Sequence, residues 1–575
     1  MSEKSKESSP SPAPAAPPPL AIELPKAPEG QMTLRVNGKD HFIDPKKYRS
    51  LIEALRGLGY DIPHFCYHPG LEPDGNCRMC YVNVIDVRTG KPVMAPNLSK
   101  QPFKMYPKPV ISCREPLNPR GMVVETETEA VVEARKWVME FMLINHPLDC
   151  PVCDKAGECM LQDQSYKHGK ADSRFEERKN EIPPKELGPT IRLWTDRCIT
   201  CTRCVRFLDE VTDTNELYVV HRGDRSEIEA APGHPVDNPL MGNIVDICPV
   251  GALIDKDLMY TYRSWYLRRV DSVCPACSKG CNIQVQMQKE FVRRLVPREN
   301  RDVNGWWMCD RGRKDFGYIN AESRIRTGRI DGKDVPVIQA AEEAGKRLRA
   351  AADQDAQRVA ILASAWLTLE ELFVVKRLAA ALGTTQVGLL AEADGEEQVF
   401  PKFKIEADRN PNRAGARLVL GDDVESKTEG ILAAADEGKL EAVYVISSMP
   451  HYEAPAGMLD ALGKAKLLIV QDFRSGPLFD KAQIVLPGAT FAEKDGVFVN
   501  VQGRAQVVRR AIDPLAQGHD DLLVLGRVAN AAGVELATDS ARVVFCELAK
   551  EVSALEGLNH KALGKVGLAI GRSSD

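Results

Sequence analysis

The sequence of 575 residues lacks several features that define common functional classes. No apolar stretch approaches the roughly 18 residues of a membrane-spanning helix, so we expect no direct membrane span. No long basic run occurs and the formal charge at pH 7 is only −5, so nucleic acid is not an expected partner. Glycine-rich nucleotide loops are missing too: no Gly-x-Gly-x-x-Gly opens a helix, and no Gly-x4-Gly-Lys-Ser/Thr occurs.

The first thirty residues lack the marks of a targeting segment. They contain no arginine, and no positively charged start is followed by an apolar core, so neither a transit peptide nor a secretory signal is expected. Proline is frequent there, with Ser, Ala, Lys and Glu filling much of the rest. Such a composition cannot bury enough apolar surface to offset chain entropy. We therefore predict a disordered, Pro-rich tail at residues 1–30.

Cysteine is nearly absent from the second half of the chain. Fifteen of the sixteen cysteines lie between Cys66 and Cys309, in four groups that each contain a Cys-x2-Cys pair. Without a secretory signal, such pairs favour thiols that are kept available for metals over a disulfide framework. Four iron–sulfur clusters with four ligands each need sixteen ligands, so fifteen cysteines leave one site a thiolate short.

The second group is the one that lacks a thiolate. A helix is predicted from Thr128 to Ile144, and Pro147 should end it, which places His146 just ahead of the cysteines. A neutral imidazole is an acceptable iron ligand and should raise the reduction potential relative to a thiolate. The predicted 4Fe-4S ligands are His146, Cys150, Cys153 and Cys159. A capping or packed histidine is the alternative, and Cys546, which could supply the missing thiolate, is expected to be a small core residue.

The first group follows a predicted β-hairpin and helix. Apolar residues alternate from Met32 to Val36, Asn37-Gly38 signals a tight turn, and a helix is predicted from Tyr48 to Leu58. This order resembles the β-grasp ferredoxins that hold a 2Fe-2S cluster, although the first Cys interval is ten residues instead of the four of the plant-type pattern. The predicted ligands are Cys66, Cys77, Cys80 and Cys113, and the glycines expected to bring N–H groups near the sulfurs are Gly70 and Gly75. A structural zinc site is the alternative.

The third group has a bacterial ferredoxin pattern, with Cys-x2-Cys-x2-Cys followed by a distant Cys-Pro. The ligands that a second cluster would need fall on Leu208, Asn238, Met241 and Ile244, so one cluster of a two-cluster ferredoxin has been erased. The predicted ligands of the remaining 4Fe-4S cluster are Cys198, Cys201, Cys204 and Cys248.

The fourth group and the region after it resemble molybdopterin oxidoreductases. The predicted 4Fe-4S ligands are Cys274, Cys277, Cys281 and Cys309, with zinc as the alternative. Beyond them, short apolar runs predict strands at Val359–Leu362, Leu418–Leu420, Ala442–Ile446, Leu467–Val470 and Ile484–Leu486. Helical stretches such as Leu367–Leu382 lie between these runs, which indicates parallel sheets with crossover helices.

The segment from Asn145 to Asp163, which includes His-Pro-Leu-Asp-Cys-Pro-Val-Cys, gives a family-level resemblance. It resembles the G subunits, the large peripheral iron–sulfur subunits, of bacterial NADH–quinone oxidoreductase (complex I). The resemblance covers residues 31 to about 320, and it continues more weakly through Phe479 to Arg504. It implies one 2Fe-2S and three 4Fe-4S clusters, with no molybdopterin, FMN or NAD on this chain and no substrate site of its own.

The resemblance also implies partners and a place in the cell. Expected partners are other complex I subunits, especially the FMN/NADH-binding subunit and the peripheral-arm iron–sulfur subunits that lead to quinone. The expected location is peripheral, on the cytoplasmic face of the bacterial inner membrane. The main electron path would run from the first group to the third and then the second, with the fourth off the path. Candidate side chains that tune the potentials are Arg78, Lys155, Arg197 and Arg203.

The predicted fold class is α+β and α/β multidomain. The domains are the tail at 1–30, a β-grasp 2Fe-2S domain at 31–126, a 4Fe-4S domain with one His and three Cys ligands at 127–190, a ferredoxin-like 4Fe-4S domain at 191–265, a molybdopterin-oxidoreductase-type 4Fe-4S domain at 266–325, and an α/β remnant without molybdenum at 326–575. Alternative functions are an iron–sulfur subunit of a formate dehydrogenase or an NAD-linked hydrogenase, or a zinc-binding scaffold. An FeFe-hydrogenase would need catalytic-cluster cysteines, and residues 310–575 offer only Cys546.

Overall fold

The computed structural model describes residues 22–96, 105–452, 454 and 456–570. Contacts divide the chain into two compact units that interleave along the sequence. The first unit contains the described residues up to Pro151, together with Cys159–Pro183 and Thr195–Arg203. The second contains Val152–Glu158, Pro184–Trp194 and the described residues from Cys204 onward.

The first unit is built around a mixed sheet. In chain order its elements are β1 (Met32–Val36), β2 (Lys39–Ile43), α1 (Leu51–Gly57), β3 (Tyr81–Asp86), β4 (Lys91–Pro92), β5 (Met94–Pro96), β6 (Met105–Pro107), β7 (Val110–Ile111), β8 (Met122–Glu125), α2 (Glu129–Leu143) and α3 (Met160–His168). The sheet order is β2-β1-β8-β3-β4, with β7 also paired to β3 and with β1 and β8 parallel. Asn37 and Gly38 have φ of 48° and 79°, as a two-residue hairpin turn requires, so the predicted hairpin is confirmed.

Ordered contacts begin before the predicted end of the tail. The Ile22 N–H donates to the Val87 carbonyl at 3.0 Å, and the Thr33 hydroxyl donates to the Pro25 carbonyl at 2.6 Å. Ile22 and Pro25, inside the predicted tail, are therefore hydrogen-bonded to the rest of the first unit. Residues 1–21 of the predicted tail lie outside the described residues.

Helix α2 leads from the sheet to the second ligand group. Thr128 caps its start by accepting a hydrogen bond from the Val131 N–H at 3.4 Å, and the helix ends at Leu143, before Pro147. At its C-terminal end the Lys179 ammonium donates to the carbonyls of Leu143 and Ile144 at 2.8 and 2.7 Å. These bonds satisfy carbonyls that the helix itself leaves without donors. The predicted helix is confirmed.

The second unit opens with small sheets and short helices. These are β9 (Lys185–Glu186), β10 (Ile191–Leu193), α4 (Arg203–Glu210, which starts at the last residue of the first unit), β11 (Leu217–Val220), β12 (Glu227–Ala230), α5 (Gly242–Ile247), β13 (Leu253–Asp255), β14 (Arg268–Val273), β15 (Asn282–Gln288), β16 (Phe291–Pro297) and α6 (Asp310–Lys314). Strands β13, β10 and β9 form one antiparallel sheet, β11 and β12 a hairpin, and β14–β16 an antiparallel sheet in chain order.

The rest of the second unit is a doubly covered α/β sheet. Its elements are β17 (Gly328–Ile330), β18 (Lys333–Val335), α7 (Val337–Gln354), β19 (Val359–Ser364), α8 (Leu369–Leu382), β20 (Val387–Leu390), β21 (Gln398–Phe400), β22 (Phe403–Ile405), α9 (Arg413–Leu420), α10 (Val424–Asp436), β23 (Ala442–Ile446), α11 (Ala456–Leu462), β24 (Leu467–Asp472), α12 (Pro477–Lys481), β25 (Ile484–Pro487), β26 (Gly496–Val499), β27 (Arg504–Val508), α13 (Asp521–Ala531), α14 (Ala541–Glu551), α15 (His560–Leu563) and β28 (Leu568–Ala569). The main sheet runs β18-β17-β25-β24-β23-β19-β20, and its five strands from β25 to β20 are parallel, as predicted.

Two expectations about this region are wrong. The run Leu418–Leu420 is the end of α9 rather than a strand, because Ala416 and Val419 face the core at helical spacing. Cys546 is exposed rather than buried. It follows Phe545 on α14, and the helical turn of about 100° per residue directs Phe545 inward and Cys546 outward.

A buried ion cluster joins the elements of this region. The Lys494 ammonium lies 3.0 Å from a carboxylate oxygen of Glu371 on α8 and 3.0 Å from one of Asp521 on α13. All three side chains are essentially inaccessible. Gln471 on β24 also donates to Asp521, at 2.8 Å. The cluster compensates the charges that this core encloses, which is the condition for burying them.

Candidate metal centres

The four cysteines of the first group come together in the first unit. Cys66, Cys77 and Cys80 lie in the loop between α1 and β3, and Cys113 follows β7. All four are buried. The thiol of Cys66 is hydrogen-bonded to those of Cys113 and Cys77, and the thiol of Cys80 is bonded to that of Cys113. The predicted ligands thus form one continuous chain of sulfur contacts.

The surroundings of the first group lower the pKa of Cys66 and Cys80, whereas hydrogen bonds to neighbouring sulfurs and burial raise the pKa of Cys77 and Cys113. Hydrogen bonds from the Cys113 and Cys77 thiols lower the pKa of Cys66 to about 2, although burial acts in the opposite direction. Hydrogen bonds from the backbone N–H groups of Cys77 and Gly75 lower this pKa further. Gly75 therefore acts as the sequence predicted. Gly70 does not, since its N–H donates to the His68 ring at 3.1 Å. Donors aimed at sulfur suit a thiolate that ligates a cluster.

In the second group, one imidazole nitrogen of His146 lacks a hydrogen-bond partner among the described residues. Its Nδ1 atom is buried and makes no hydrogen bond in the described part of the chain. Burial, together with the charges of Lys179 and Arg197, lowers the pKa of His146 to about 4, so the ring is neutral at physiological pH. A neutral ring with an unpaired buried nitrogen fits a metal ligand. The neighbouring Cys150 is exposed, whereas Cys153 and Cys159 are buried.

The cysteines of the third group lie in two segments of the chain, 198–204 and the end of α5. Thr200 and Thr202, which alternate with its cysteines, have φ of 48° and 61°, and the Thr200 N–H donates to the Cys198 sulfur at 3.4 Å. Cys204 lies in the first turn of α4, and Cys248 ends α5. The four positions at which the sequence indicated an erased cluster, namely Leu208, Asn238, Met241 and Ile244, are all buried.

The cysteines of the fourth group are all buried. Each of its four cysteines is at most 6% exposed. The Cys309 sulfur accepts from the Gly312 N–H at 3.4 Å, and a Cβ at Gly312 would lie 2.7 Å from the Cys274 sulfur. Burial raises the pKa of all four thiols, that of Cys277 to about 12. Four thiolates here need a bound cation to offset the cost of their charge, which suits an iron cluster.

Polar side chains beside the ligands connect the first ligand loop to the third. The Asn76 amide, next to Cys77, donates to the Thr200 carbonyl at 3.2 Å. The Thr202 hydroxyl donates to Asp74 at 2.9 Å. The buried Arg203 guanidinium donates to the Tyr67 carbonyl at 2.6 Å. Because these residues adjoin Cys66, Cys77, Cys201 and Cys204 in sequence, the two ligand loops are in direct contact.

The third and second groups are in contact at two places. In the first unit, the buried Arg197 guanidinium binds the Asp149 carboxylate with distances of 2.9 and 2.6 Å. These residues immediately precede Cys198 and Cys150. In the second unit, Gly251 lies three residues after Cys248, and a Cβ there would collide with the Cys153 sulfur. Only glycine permits this approach of a ligand sulfur to the backbone.

The third group also contacts the fourth. The buried Asn243 side chain on α5 donates to the Met308 carbonyl at 2.8 Å and accepts from the Met308 N–H at 3.1 Å. The Gly242 N–H donates to Asp310 at 2.9 Å. Met308 and Asp310 flank Cys309, so this ligand is held against the helix that ends at Cys248.

The four candidate tuning residues differ in position. Arg197 and Arg203 are buried between ligand loops. Lys155 donates to the Val245 carbonyl at 3.5 Å, and Arg78 is exposed. Sequence reasoning missed Asn76, Asp149, Thr202 and Gly251. Their adjacency to ligand cysteines was the available signal, but their partners are distant in sequence.

A single-ion geometry, with three or more His, Cys, Asp or Glu side chains around one point, does not occur in the residues that the structure describes. Across the same residues, no helix is both long and apolar enough to cross a membrane.

Family models match five segments of the chain. They are the 2Fe-2S iron-sulfur cluster binding domain (residues 34–114), the NADH-ubiquinone oxidoreductase-G iron-sulfur binding region (135–174), the ferredoxin-like domain of NADH-quinone oxidoreductase subunit 3 (188–254), the molybdopterin oxidoreductase Fe4S4 domain (267–321) and the molybdopterin oxidoreductase domain (403–531). The first four segments contain the four predicted ligand groups, one in each. The predicted fold class is therefore confirmed.

Curated relatives match most of the chain. It is 28% identical to the G subunit of NADH-quinone oxidoreductase from Rickettsia felis and 27% identical to that from Rickettsia conorii, in each case over 90% of both chains. It is 39% identical to the mitochondrial NADH dehydrogenase (ubiquinone) iron-sulfur protein 1 of Solanum tuberosum, over 54% of this chain and 39% of that protein. A solved structure of an NAD+-reducing NiFe-hydrogenase is 26% identical over 40% of this chain and 90% of that chain, with a TM-score of 0.32.

Proposed function

Because the chain belongs to the family of NADH-quinone oxidoreductase G subunits and serves iron–sulfur electron transfer, we propose which residues hold its clusters. The 2Fe-2S ligands are Cys66, Cys77, Cys80 and Cys113. The ligands of three 4Fe-4S clusters are His146, Cys150, Cys153 and Cys159; then Cys198, Cys201, Cys204 and Cys248; then Cys274, Cys277, Cys281 and Cys309. Such clusters supply one-electron chemistry when bound.

The observation that carries this proposal is the order in which the ligand loops touch. Asn76, Asp74 and Arg203 connect the first loop to the third, and Arg197 connects the third to the second through Asp149. This is the sequence of centres that the main electron path requires. The chain's own task is to fix these loops at short separations and to keep water and stray oxidants from the buried ligands.

Polar groups beside the ligands adjust the charge around each centre. The neutral His146 ring replaces one negative ligand in the second set, which raises the potential of that centre relative to an all-thiolate set. The guanidinium groups of Arg197 and Arg203 add positive charge next to the third set, and N–H donors such as that of Gly75 point at ligand sulfur. Each of these favours the reduced state of its neighbour.

As a member of this family the chain partners other complex I subunits. Its specific partners in this proposal are the FMN/NADH-binding subunit as donor and a peripheral-arm iron–sulfur subunit as acceptor on the quinone side. The chain lies peripherally on the cytoplasmic face of the bacterial inner membrane. The division into six domains assigns one ligand set to each of four domains, and the region after residue 325 serves as an α/β scaffold.

The test is a metal count joined to one ligand variant. Complex that lacks this subunit should contain about fourteen fewer irons than the intact complex purified anaerobically, from one two-iron and three four-iron clusters, and no less zinc. His146→Ala should remove or distort one 4Fe-4S signal in low-temperature EPR while the others persist. A stoichiometric zinc content, or an unchanged spectrum in the reduced variant, would contradict the assignment.

A further inference from the structure

The loop between Cys153 and Cys159 receives several hydrogen bonds from residues more than eighty positions away. In the second unit, the Arg263 guanidinium donates to the Cys153 carbonyl at 3.0 Å and the Ser264 hydroxyl donates to the Ala156 carbonyl at 2.6 Å. The Tyr260 N–H donates to the Asp154 carboxylate at 2.9 Å. These three donors lie in the segment just before strand β14, next to the fourth ligand group.

The last residue before Cys159 has the strongest of these contacts. Glu158 and Arg294 form a two-pronged ion pair with distances of 3.0 and 2.6 Å, and their side chains are only 17% and 16% exposed. The Arg294 Nε–H also donates to the buried Gln286 side chain at 2.7 Å. Arg294 lies on β16 and Gln286 on β15, so the guanidinium is fixed by the sheet before it meets the loop. A planar fork with both prongs engaged gives orientation as well as attraction.

The same loop also borders a cavity. Asp154, Lys155 and Glu158 line a cavity of about 140 Å³, whose walls also include Arg294 and Tyr262. A Cβ at Gly157, which has a φ of +83°, would lie 2.6 Å from the Ser264 hydroxyl and 2.9 Å from the Trp265 ring. The loop is thus pressed against the segment 260–266 at one point and bridges a void at another. Removal of Arg294 would leave Glu158 beside that cavity with only the more distant Arg269 guanidinium, 3.6 Å away, as an ion-pair partner among the described residues.

We propose that Arg294 is a positioning residue for the second metal centre: through Glu158 it fixes the loop that carries Cys153 and leads into Cys159, and the pair sets the charge next to that centre. The sheet β14–β16 thereby serves a centre on the main path, although the cluster of its own domain stands off that path. This inference rests on the proposed function, because it takes Cys153 and Cys159 as cluster ligands.

The test measures the midpoint potential of the second centre in the intact complex by EPR-monitored redox titration. Arg294→Met removes positive charge and should shift that potential downward. Glu158→Gln removes negative charge beside the retained arginine and should shift it upward. The double variant should fall back toward the wild-type value. A purely structural support would not produce shifts of opposite sign.

Arg293→Met is the matched control, since Arg293 is the neighbouring residue on β16 and lies over the Phe291 ring instead. It should leave the second potential unchanged. Arg294→Lys keeps the positive charge but loses the two-pronged contact. The midpoint potential of the second centre should therefore stay close to the wild-type value, while its EPR signal broadens because the ligand geometry is looser. This variant keeps the test informative if Arg294→Met does not assemble.

Equal potentials in all variants, or equal shifts in Arg293→Met and Arg294→Met, would overturn the proposal. Failure of the proposed function itself would be recognised from the variant Cys150→Ser. The titrated signal must disappear in Cys150→Ser; if it survives there, the second ligand set is wrong, and the role of Arg294 falls with it. If it disappears there but ignores Arg294, only the positioning role is lost.

Discussion

The ligand-bearing region up to residue 325 and the α/β region after it are held together in different ways. In the first, loops meet through single polar contacts such as Asn76 with Thr200 and Arg197 with Asp149. In the second, a parallel sheet is covered on both faces by continuous apolar cores. The α/β region can therefore stand on apolar burial, whereas the ligand loops depend on what they bind.

The largest expected effect separates these two regions directly. Removing iron from the complex with an oxidant and a chelator should abolish hydrogen-exchange protection in the loops around Cys66–Cys80, Cys198–Cys204 and Cys274–Cys281, because the buried thiols lose the cations that compensate them. Strands β19, β23 and β24 should keep their protection. Parallel loss of protection in both regions would show that the α/β region is not independent.

Next in size is the buried ion cluster of the α/β region. Lys494→Met leaves Glu371 and Asp521 without a counter-charge and should reduce the free energy of unfolding by about 3–5 kcal/mol. Thermal unfolding of the complex would measure this, with unchanged EPR signals as the mark of separate regions. Lys550→Met, at an exposed pair with Glu547, is the control and should leave the unfolding transition where it is in the wild type. Loss of cluster EPR signals in the Lys494 variant would show that the α/β region and the ligand-bearing region are not independent.

A smaller effect is expected at the close contact of the second and third groups. Gly251→Ala places a methyl group against the Cys153 sulfur and should cost about 1–3 kcal/mol through overpacking. The EPR signal of the second centre should change while that of the 2Fe-2S centre persists. Gly317→Ala, at a glycine that like Gly251 has no positive φ but has no atom within 4 Å of its Cβ position, is the control for the loss of a glycine. Identical spectra for wild type and Gly251→Ala would mean that the sulfur moves without consequence.

The smallest effect concerns the contact between the first and third loops. Thr202→Val removes the hydrogen bond to Asp74 and should cost about 0.5–1.5 kcal/mol. It should slow NADH-to-quinone transfer slightly without loss of any cluster. Thr385→Val, at an exposed hydroxyl that bonds Gln357, gives the background for a threonine change. If the NADH-to-quinone transfer rate fell as far as it does in a ligand variant, the role of Thr202 would not be limited to this loop contact.

Local signals in the sequence predicted local structure well. Asn37-Gly38 indicated the hairpin, Thr128 and Pro147 bounded α2, and runs of β-branched residues located β19, β23, β24 and β25. The prediction of a strand at Leu418–Leu420 was wrong because a short apolar run suits a helix face as well as a strand. The prediction that Cys546 is a core residue was wrong because its exposure depends on which face of α14 meets the core.

Contacts between distant segments could not be read from the sequence. Nothing in the composition around Asn76 indicates Thr200, and nothing near Glu158 indicates Arg294, because such pairings exist only once the domains are packed. The iron–sulfur domains that contain the four cysteine groups were predictable, since thiolate chemistry imposes the spacing within each group. The individual ligand residues stay a prediction. The structure adds the residues next to them, which decide how the groups are connected.

The exposure of Cys150 has a consequence for handling the protein. Oxidation of cysteine follows solvent access, and Cys150 is the one exposed member of the four proposed ligand sets. In the chain outside its complex, peroxide or air should therefore attack the centre proposed at His146 first, well before the buried proposed sets around Cys66 and Cys274. Preparations of the isolated subunit should therefore lose this proposed centre first, and a partner protein that covers Cys150 would protect it from oxidation.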